Sequence, residues 1–557
     1  MQPVTRLLSA LVSALSYLLW MGNLPATAQP QDWQWATAIQ AADGTTATKT
    51  AMDGAGNVYL MGEYAENAYI DTTHLVGGST YLAKLNALGQ WQWAVSVGGR
   101  HVTFGEGLSI GPNGTVVVAG WLMDSAQFGS TVVAGFASYV ACISPSGQWL
   151  WARGLGRAYA RATALTATAT SIWVAGEFSD SLTVGASHLV GGVPGRPDGF
   201  VAQLSPSGQW QQAWGTTTQT SSASLRVNAI AADTSDNVYI TGRFAETVQF
   251  GPVTLVTPPR SFNRPKCGFV AGISATTGWR WARQWGTLGE SEGYGIALDF
   301  LSQDPLIAVS YGGSPLLLDT ISIVTVPQGG GMVAKLDHTT GQWLWARQTN
   351  RRGLSGPVPD DIATDSAGAV YICGKWGSTI NSVYLDSIIL PNITPVFVAV
   401  AEAATGRWRQ AWRPNGTNGR VSCIAAGANQ QVVIGGQVEG QQPLVFAVWP
   451  VSSPGAYQSA YAARLATLPV GVAEPTGGVA SGLRVWPNPA TPTQVRVAPA
   501  APAPTARTVE LWDALGRVVS RTLLPAGQTE VTLPLHGRAA GLYVVRMGAA
   551  HRRVLIE

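Results

Sequence analysis

Trp33-Gln34-Trp35-Ala36 returns with small changes as Trp91-Gln92-Trp93-Ala94, Trp149-Leu150-Trp151-Ala152 and Trp343-Leu344-Trp345-Ala346. Tryptophan pairs open at Trp33, Trp91, Trp149, Trp210, Trp279, Trp343 and Trp408, with gaps of 58, 58, 61, 69, 64 and 65 residues. A second ladder runs beside the first: Val58-Tyr59-Leu60-Met61-Gly62, then Val116 to Gly120, Ile172 to Gly176, Val238 to Gly242, Leu306 to Ser310, Val370 to Gly374 and Val432 to Gly436. A third ladder comprises Tyr81 to Leu85, Tyr139 to Ile143, Phe200 to Leu204, Phe269 to Ile273, Met332 to Leu336, Phe397 to Ala401 and Tyr461 to Leu465. Self-similarity at a fixed period marks an array of small units that bury their faces against one another, so the repeat outranks local propensity.

The units read as strands. Gly, Thr and β-branched residues fill every segment, and no run has a helical apolar period. Trp91 and Trp93 share parity, as do Trp210/Trp214 and Trp408/Trp412, which assigns both members of a pair to one face of a strand. Turns such as Pro145-Ser146-Gly147, Pro206-Ser207-Gly208 and Thr339-Thr340-Gly341 join the third ladder to the Trp strand as hairpins. Inserts such as Ala126-Gln127-Phe128-Gly129 and Val248-Gln249-Phe250-Gly251-Pro252 lie between the second and third ladders and read as decorative hairpins. Inner strands such as Gly107 to Ile110, Ala229 to Ala232 and Cys423 to Ala426 carry small side chains, suited to a crowded axis.

The first Trp strand has no upstream hairpin half and the Tyr461 strand has no downstream half, so the two ends are complementary. The expected fold is all-β: a seven-bladed β-propeller over residues 29–466, closed by pairing of Trp33 and Trp35 with the Tyr461–Leu465 strand, and followed by a small β-sandwich. Residues 29 to about 466 resemble the bacterial β-propeller repeat family with its "G-N-V-Y-V-T-G … F-V-A-K-L-s-p-s-G-x-x-x-W-A" pattern. The resemblance is carried by Gly56-Asn57-Val58-Tyr59, Asn237 to Gly242 and Phe200 to Gly208. It implies a fold and an extracellular setting, with no single activity. The fifth copy departs from it, with Ser310 where the others have Gly.

The 557 residues include only 12% charged residues but 65 Gly and 33 Pro, a globular, turn-rich composition. Four cysteines without Cys-x-x-Cys spacing (Cys142, Cys267, Cys373, Cys423) exclude a disulfide scaffold and a thiolate zinc cluster, and read as small buried residues. Residues 1–28 run from Arg6 through an apolar stretch, Leu7 to Met21, to Ala26-Thr27-Ala28, so a signal peptide cleaved between Ala28 and Gln29 is expected. The apolar stretch falls short of the roughly 20 residues a spanning helix needs, and no membrane-spanning segment is expected in the mature chain. Residues 479–557 hold nine Arg against four acids, whereas the middle of the chain is slightly acidic. Neither part has the dense basic face that nucleic acid requires.

After a linker at 467–482 the composition shifts to Val, Arg and Pro in short alternating strands, about six in number. Residues 483–557 resemble the C-terminal sorting domain of the Bacteroidota type IX secretion system. The motifs are Trp486-Pro487-Asn488-Pro489, Asp513 to Arg517 with Gly516, Gly541-Leu542-Tyr543, and the basic–apolar end Arg552-Arg553-Val554-Leu555-Ile556. The resemblance implies the type IX machinery as a partner, export across the outer membrane and a secreted or cell-surface address.

No side-chain pattern announces catalysis. The six histidines form no His-Glu-x-x-His set, and His74 and His188 occupy matching repeat positions. No Gly-x-Ser-x-Gly elbow is present. Asp53-Gly54-Ala55-Gly56-Asn57 and Asp365-Ser366-Ala367-Gly368 are half of a calcium loop without its closing Glu, and read as side-chain-stabilised turns. Asp360 and Asp361, adjacent on a strand, are expected to face opposite ways. The Thr-Gly-x-Trp turns are similar to the docking repeats of quinoprotein dehydrogenases, whose eight blades and adjacent-cysteine disulfide are missing here. No catalytic, metal or cofactor residue is assigned. The expected function is that of a monomeric, surface-displayed scaffold binding an extracellular protein or glycan. The alternative is an extracellular polysaccharide hydrolase or lyase using dispersed carboxylates at the channel mouth.

Overall fold

The computed structural model describes residues 33–466 and 483–556 apart from interruptions at 42–43, 99–102, 136, 157–158, 260–264, 287–288, 313–315, 320, 324–328, 350–356, 376–381, 386–387, 392–395, 417, 441, 454–457, 487–493, 500–504, 513–517, 536–540 and 548–549. The expected cleavage site (Ala26, Ala28, Gln29) and the linker at 467–482 lie outside the described residues. The chain divides into two compact units, Met1–Leu468 and Pro469–Glu557.

The first unit is built mainly from antiparallel four-stranded sheets, the first of which is continued by the hairpin Ser125–Phe128/Thr131–Ala134, with small two- and three-stranded sheets beside them. Sheet one is Thr45–Met52, Val58–Tyr64, Gly78–Leu85 and Trp91–Gly98; sheet two is Thr103–Ile110, Val116–Leu122, Ala137–Ile143 and Trp149–Leu155. Sheet three is Ala160–Ala167, Ile172–Ser179, Pro197–Leu204 and Trp210–Gly215; sheet four is Ser224–Ala232, Asn237–Ala245, Cys267–Ser274 and Gly278–Trp285. Sheet five is Glu292–Leu298, Pro305–Tyr311, Gly330–Leu336 and Trp343–Gln348; sheet six is Val358–Thr364, Ala369–Lys375, Val396–Glu402 and Trp408–Trp412. In sheet seven, Gly419–Ala426, Val432–Glu439 and Gln458–Leu465 are joined by Trp33–Ala38 from the other end of the chain, with Trp33 opposite Leu465 and Ala38 opposite Tyr461.

Cores form between successive sheets. One cluster joins Tyr59, Met61 and Leu82 of sheet one to Val116, Val118 and Tyr139 of sheet two, and the same arrangement recurs along the array. It continues through Tyr371 and Val398 of sheet six against Ile434 and Tyr461 of sheet seven, and Val433 and Ala462 of sheet seven against Leu60 and Tyr81 of sheet one. First strands likewise lie beside first strands, sheet seven beside sheet one included. Each unit therefore depends on its neighbours for burial, as an array of small sheets must.

The paired tryptophans face opposite ways, contrary to the period-two expectation. A bulge sits between them: Trp91 opposes Leu85 while Trp93 opposes Lys84, and the same shift occurs at Trp149/Trp151, Trp279/Trp281, Trp343/Trp345 and Trp33/Trp35. One extra residue reverses the parity of everything beyond it. The first Trp packs toward its own sheet's insert hairpin, as in the edge-on contacts Trp33–Phe446 at 4.8 Å, Trp149–Phe128 at 5.0 Å and Trp279–Phe250 at 5.2 Å. The inserts are thus core elements, with Phe128, Phe250 and Phe446 almost fully buried, rather than decoration.

The second Trp reaches the next sheet. The indole Nε1 groups of Trp35, Trp93, Trp281 and Trp345 donate to the carbonyls of Ala87, Pro145, His338 and Ala403, which belong to the turn between the third and fourth strands of the following sheet. Arg283 and Arg347 add bonds to two of these turns, at Thr340 and Thr405, and Arg153 bonds the corresponding turn of sheet three at Gly208. Gly208 explains the turn glycines: its φ is +78°, and a Cβ there would lie 2.7 Å from the Trp151 ring.

The fifth copy is offset by one from the sequence alignment. Val309, not Ser310, stands where Gly62, Gly120, Gly176, Gly242, Gly374 and Gly436 stand, because Val309 opposes Gly293 as Gly62 opposes Ala47. In sheet one the third-strand Tyr81 hydroxyl reaches over that glycine to the Thr46 carbonyl. Sheet five places Met332 against Val309 instead.

Among the described residues the second unit has seven strands in two sheets, three and four strands wide, against the approximate expectation of six. Leu483, Val495, Val497 and Leu533 of one sheet share a core with Val509, Leu511, Val545 and Val554 of the other.

Candidate functional site

Each first strand carries a bulge near its beginning, and the inner strands extend beyond the short apolar runs legible in sequence: Thr103–Ile110, Ser224–Ala232 and Gly419–Ala426. The unpaired residues are Thr48, Glu106, Thr163, Asn228, Tyr294, Asp360 and Ser422. Because first strands adjoin one another, these residues and the cross-strand pairs beside them gather at the same end of the sheets. The pairs are Thr46/Glu63, Phe104/Trp121, Arg161/Glu177, Arg226/Arg243, Glu292/Ser310, Val358/Lys375 and Arg420/Gln437.

Three bulge residues stitch the array. Thr48 Oγ1, Thr163 Oγ1 and Asn228 Nδ2 donate to the carbonyls of Gly105, Val227 and Gly293 in the next sheet. Where the residue type changes, the bulge is free for other chemistry. Glu106 Oε1 accepts from Arg161 Nη2 at 2.8 Å and from the Trp121 indole at 3.3 Å. Trp121 stacks on Phe104 at 4.0 Å and carries the Arg161 guanidinium 4.8 Å over its ring, so its faces are occupied and sugar stacking on it is blocked. Glu292 binds Arg243 at 3.2 Å and Asn228 at 2.8 Å.

Three carboxyl groups at this end lack a hydrogen bond among the described residues. Glu177 is half-buried and pushed up to about 7, chiefly by burial, with Arg226, Arg161 and Arg243 opposing and Glu106 adding to the shift. Asp360 is pushed up to about 6, again by burial first; its Oδ2 is buried without a partner, and Lys375 approaches Oδ1 only to 3.9 Å. Burial, then the charge of Glu106, raises Glu63. Asp361 goes elsewhere, accepting from the amides of Ile362 and Ile424 at 2.9 and 3.0 Å. This mixed row of carboxyls, guanidiniums, an amide and a phenol can hydrogen-bond a polyhydroxylated ligand and exchange protons near neutrality.

The other candidates are structural. Asp53, Asp233 and Asp365 accept backbone amides and the hydroxyls of Tyr59, Tyr239 and Tyr371, closing turns. Lys335, 5% exposed, lies 2.6 Å from Asp299 and 3.3 Å from Asp304, which also binds His338. All four cysteines are free and buried. Among the described residues no group of three or more His, Cys, Asp or Glu is arranged to hold a metal ion, and no helix is long and apolar enough to cross a membrane.

Of the sorting residues, Trp486 ends the first strand of the second unit, Gly541 and Tyr543 lie on Gly541–Met547, and Arg552 and Arg553 lie on the last strand, where Arg553 opposes Val544. Pro487, Asn488, Pro489, Asp513 and Gly516 lie outside the described residues. Trp33, Trp35, Tyr461 and Leu465 are all buried at the joint of the two chain ends.

None of the curated proteins compared with the chain matches it significantly. Among solved structures it is similar to several β-propeller-like proteins. They include a quinohemoprotein alcohol dehydrogenase from Comamonas testosteroni (10% identity, 79% of this chain and 78% of that chain, TM-score 0.33). The WD40 repeats of RRP9 (9%, 77% and 100%, TM-score 0.37) and BamB from Moraxella catarrhalis (12%, 77% and 100%, TM-score 0.31) are others. Nothing about this chain's chemistry follows from likenesses at that level. Residues 484–556 match the family described as "Secretion system C-terminal sorting domain", so the protein carries a type IX sorting domain, the mark of export to the cell surface or the medium.

Proposed function

We propose that residues 29–466 form a seven-bladed β-propeller closed by the N-terminal strand, and that the signal peptide at 1–28 and the sorting domain at 483–557 deliver it to the cell surface. There it acts as a monomeric scaffold binding a glycan or protein ligand at the inner end of the sheets. The observation that carries the reading is the row of Glu63, Glu177 and Asp360, none of which has a hydrogen bond among the described residues, beside Arg226, Arg243 and Glu292. Half-buried polar groups left without hydrogen-bond partners are costly. A ligand supplying hydroxyls or charges meets that need.

The test has two arms. Removal of residues 483–557 is expected to abolish surface labelling by an impermeant reagent while the propeller still melts cooperatively. The purified full chain is expected to bind members of an extracellular glycan and matrix-protein array, with Glu63→Gln/Asp360→Asn reducing binding at least tenfold. The polysaccharide hydrolase or lyase reading is favoured by Asp360, a half-buried acid pushed up to about 6 by burial. Release of reducing or unsaturated ends, lost in Asp360→Asn, would replace the scaffold reading by that one.

A further inference from the structure

Sheets three and four meet in a seam whose charges are not paired off. Arg226 and Arg243 stand directly opposite one another on the first two strands of sheet four. Like charges in that relation repel. Arg243 is engaged by Glu292 at 3.2 Å, but Arg226 is exposed and has no carboxylate within 4 Å among the described residues. In sheet three, Glu177 stands opposite Arg161, yet Arg161 turns away to Glu106 of sheet two at 2.8 Å. Glu177 is left half-buried and, among the described residues, without an ion pair; the charges of Arg226, Arg161, Arg243 and Glu106 all reach it, and the uncharged Gly199 stands opposite it on the third strand.

We propose that this seam binds an anionic group of an extracellular polysaccharide, a carboxylate or a sulfate, between the guanidiniums of Arg226 and Arg243. The inference rests on the inner end being the ligand-binding end. The arginine fork matches the paired oxygens of either group. A polysaccharide is favoured over an acidic peptide because Asn228, Glu292, Tyr294 and Asp360 continue the site as hydrogen-bonding side chains, without the exposed apolar centre that a protein interface builds on. Glu177 is the competitor for the ligand. Above about pH 7 it is ionised and its negative charge opposes an incoming anion; below that it is neutral and the opposition is gone.

Titration calorimetry of the full chain against polygalacturonate, dextran sulfate, unmodified dextran and poly-L-glutamate at pH 6 and pH 8 tests the proposal. Polygalacturonate or dextran sulfate is expected to bind several-fold more tightly at pH 6 than at pH 8, and at least tenfold more tightly than dextran or poly-L-glutamate. The two anionic arms tell carboxylate from sulfate. Arg226→Ala, at an exposed position and checked by an unchanged melting temperature, should weaken binding at least tenfold. Glu177→Gln should remove the pH difference by strengthening binding at pH 8. Binding insensitive to Arg226→Ala, or equal binding of poly-L-glutamate, overturns the proposal. Tight dextran binding that depends on Asp360 but not Arg226 overturns it while leaving the scaffold reading intact, and binding of none of the four removes it outright.

Discussion

Replacing Trp33 and Trp35 together by alanine tests whether the N-terminal strand closes the ring. The two side chains are 3% and 7% exposed, and they serve different cores: Trp33 packs with Phe446 and Leu465 on the side of sheet six, Trp35 with Leu60 and Leu85 of sheet one. Truncating a buried Trp costs about 3–5 kcal/mol, and sites in separate cores add, so the pair is worth roughly 6–10 kcal/mol. Unfolding entropy of about 2.1 cal/mol/K per residue gives a unit of this size roughly 0.9 kcal/mol/K, which converts the loss to a fall of about 7–11 °C in melting temperature. Scanning calorimetry of the full chain measures it, with size-exclusion chromatography reporting association through the bared edge of Gln458–Leu465. Trp449→Ala, at a 42% exposed position, is the control and should shift the transition by less than about 1 °C. A double variant that melts within about 2 °C of the parent as a monomer would falsify the closure argument.

Lys335→Ala strands Asp299 and Asp304 and should cost about 3–5 kcal/mol at pH 7. Both carboxyls sit below their usual range, burial being outweighed by hydrogen bonds and the Lys335 charge, so their contribution is present above about pH 4 and lost as pH falls through their folded values; the deficit should shrink in melts run at pH 3. Asp360→Asn has the opposite sign. The raised carboxyl costs stability once it is ionised, so the variant should gain roughly 1–3 kcal/mol at pH 8 and nothing at pH 4, and an equal change at both would refute the assignment. Gly208→Val places a Cβ against Trp151 at a left-handed φ and should cost about 2–4 kcal/mol by chemical denaturation, whereas Gly195→Val, also left-handed but open, should cost less.

The array was legible because its signal is redundant: Trp, Gly and aromatic ladders recur together in the same order, and the unpaired strands at the two ends point to one another. The orientation of the tryptophans was not legible, since one unpaired residue between Trp91 and Trp93 leaves no mark in composition yet reverses the face. The same holds at Asp360. The candidate site was invisible for a second reason. Its register position is Glu63, Trp121, Glu177, Arg243, Ser310, Lys375 and Gln437 in successive sheets, so no motif repeats, and its members are brought together by the array rather than by any local spacing.

The joint of Trp33–Ala38 with Gln458–Leu465 also sets an order in time. The Thr45 side chain that anchors Ala460 is 415 residues away from it in sequence. At roughly 5–20 residues per second, the strand holding Trp33 and Trp35 waits about 20–80 seconds after its own synthesis for the partner strand to exist. Six sheets have every strand they need before the last one does, and the first strand made is the last to be placed. Throughout that interval a strand with two large indoles has no edge to join, and joining late brings together the most distant contacts in the unit.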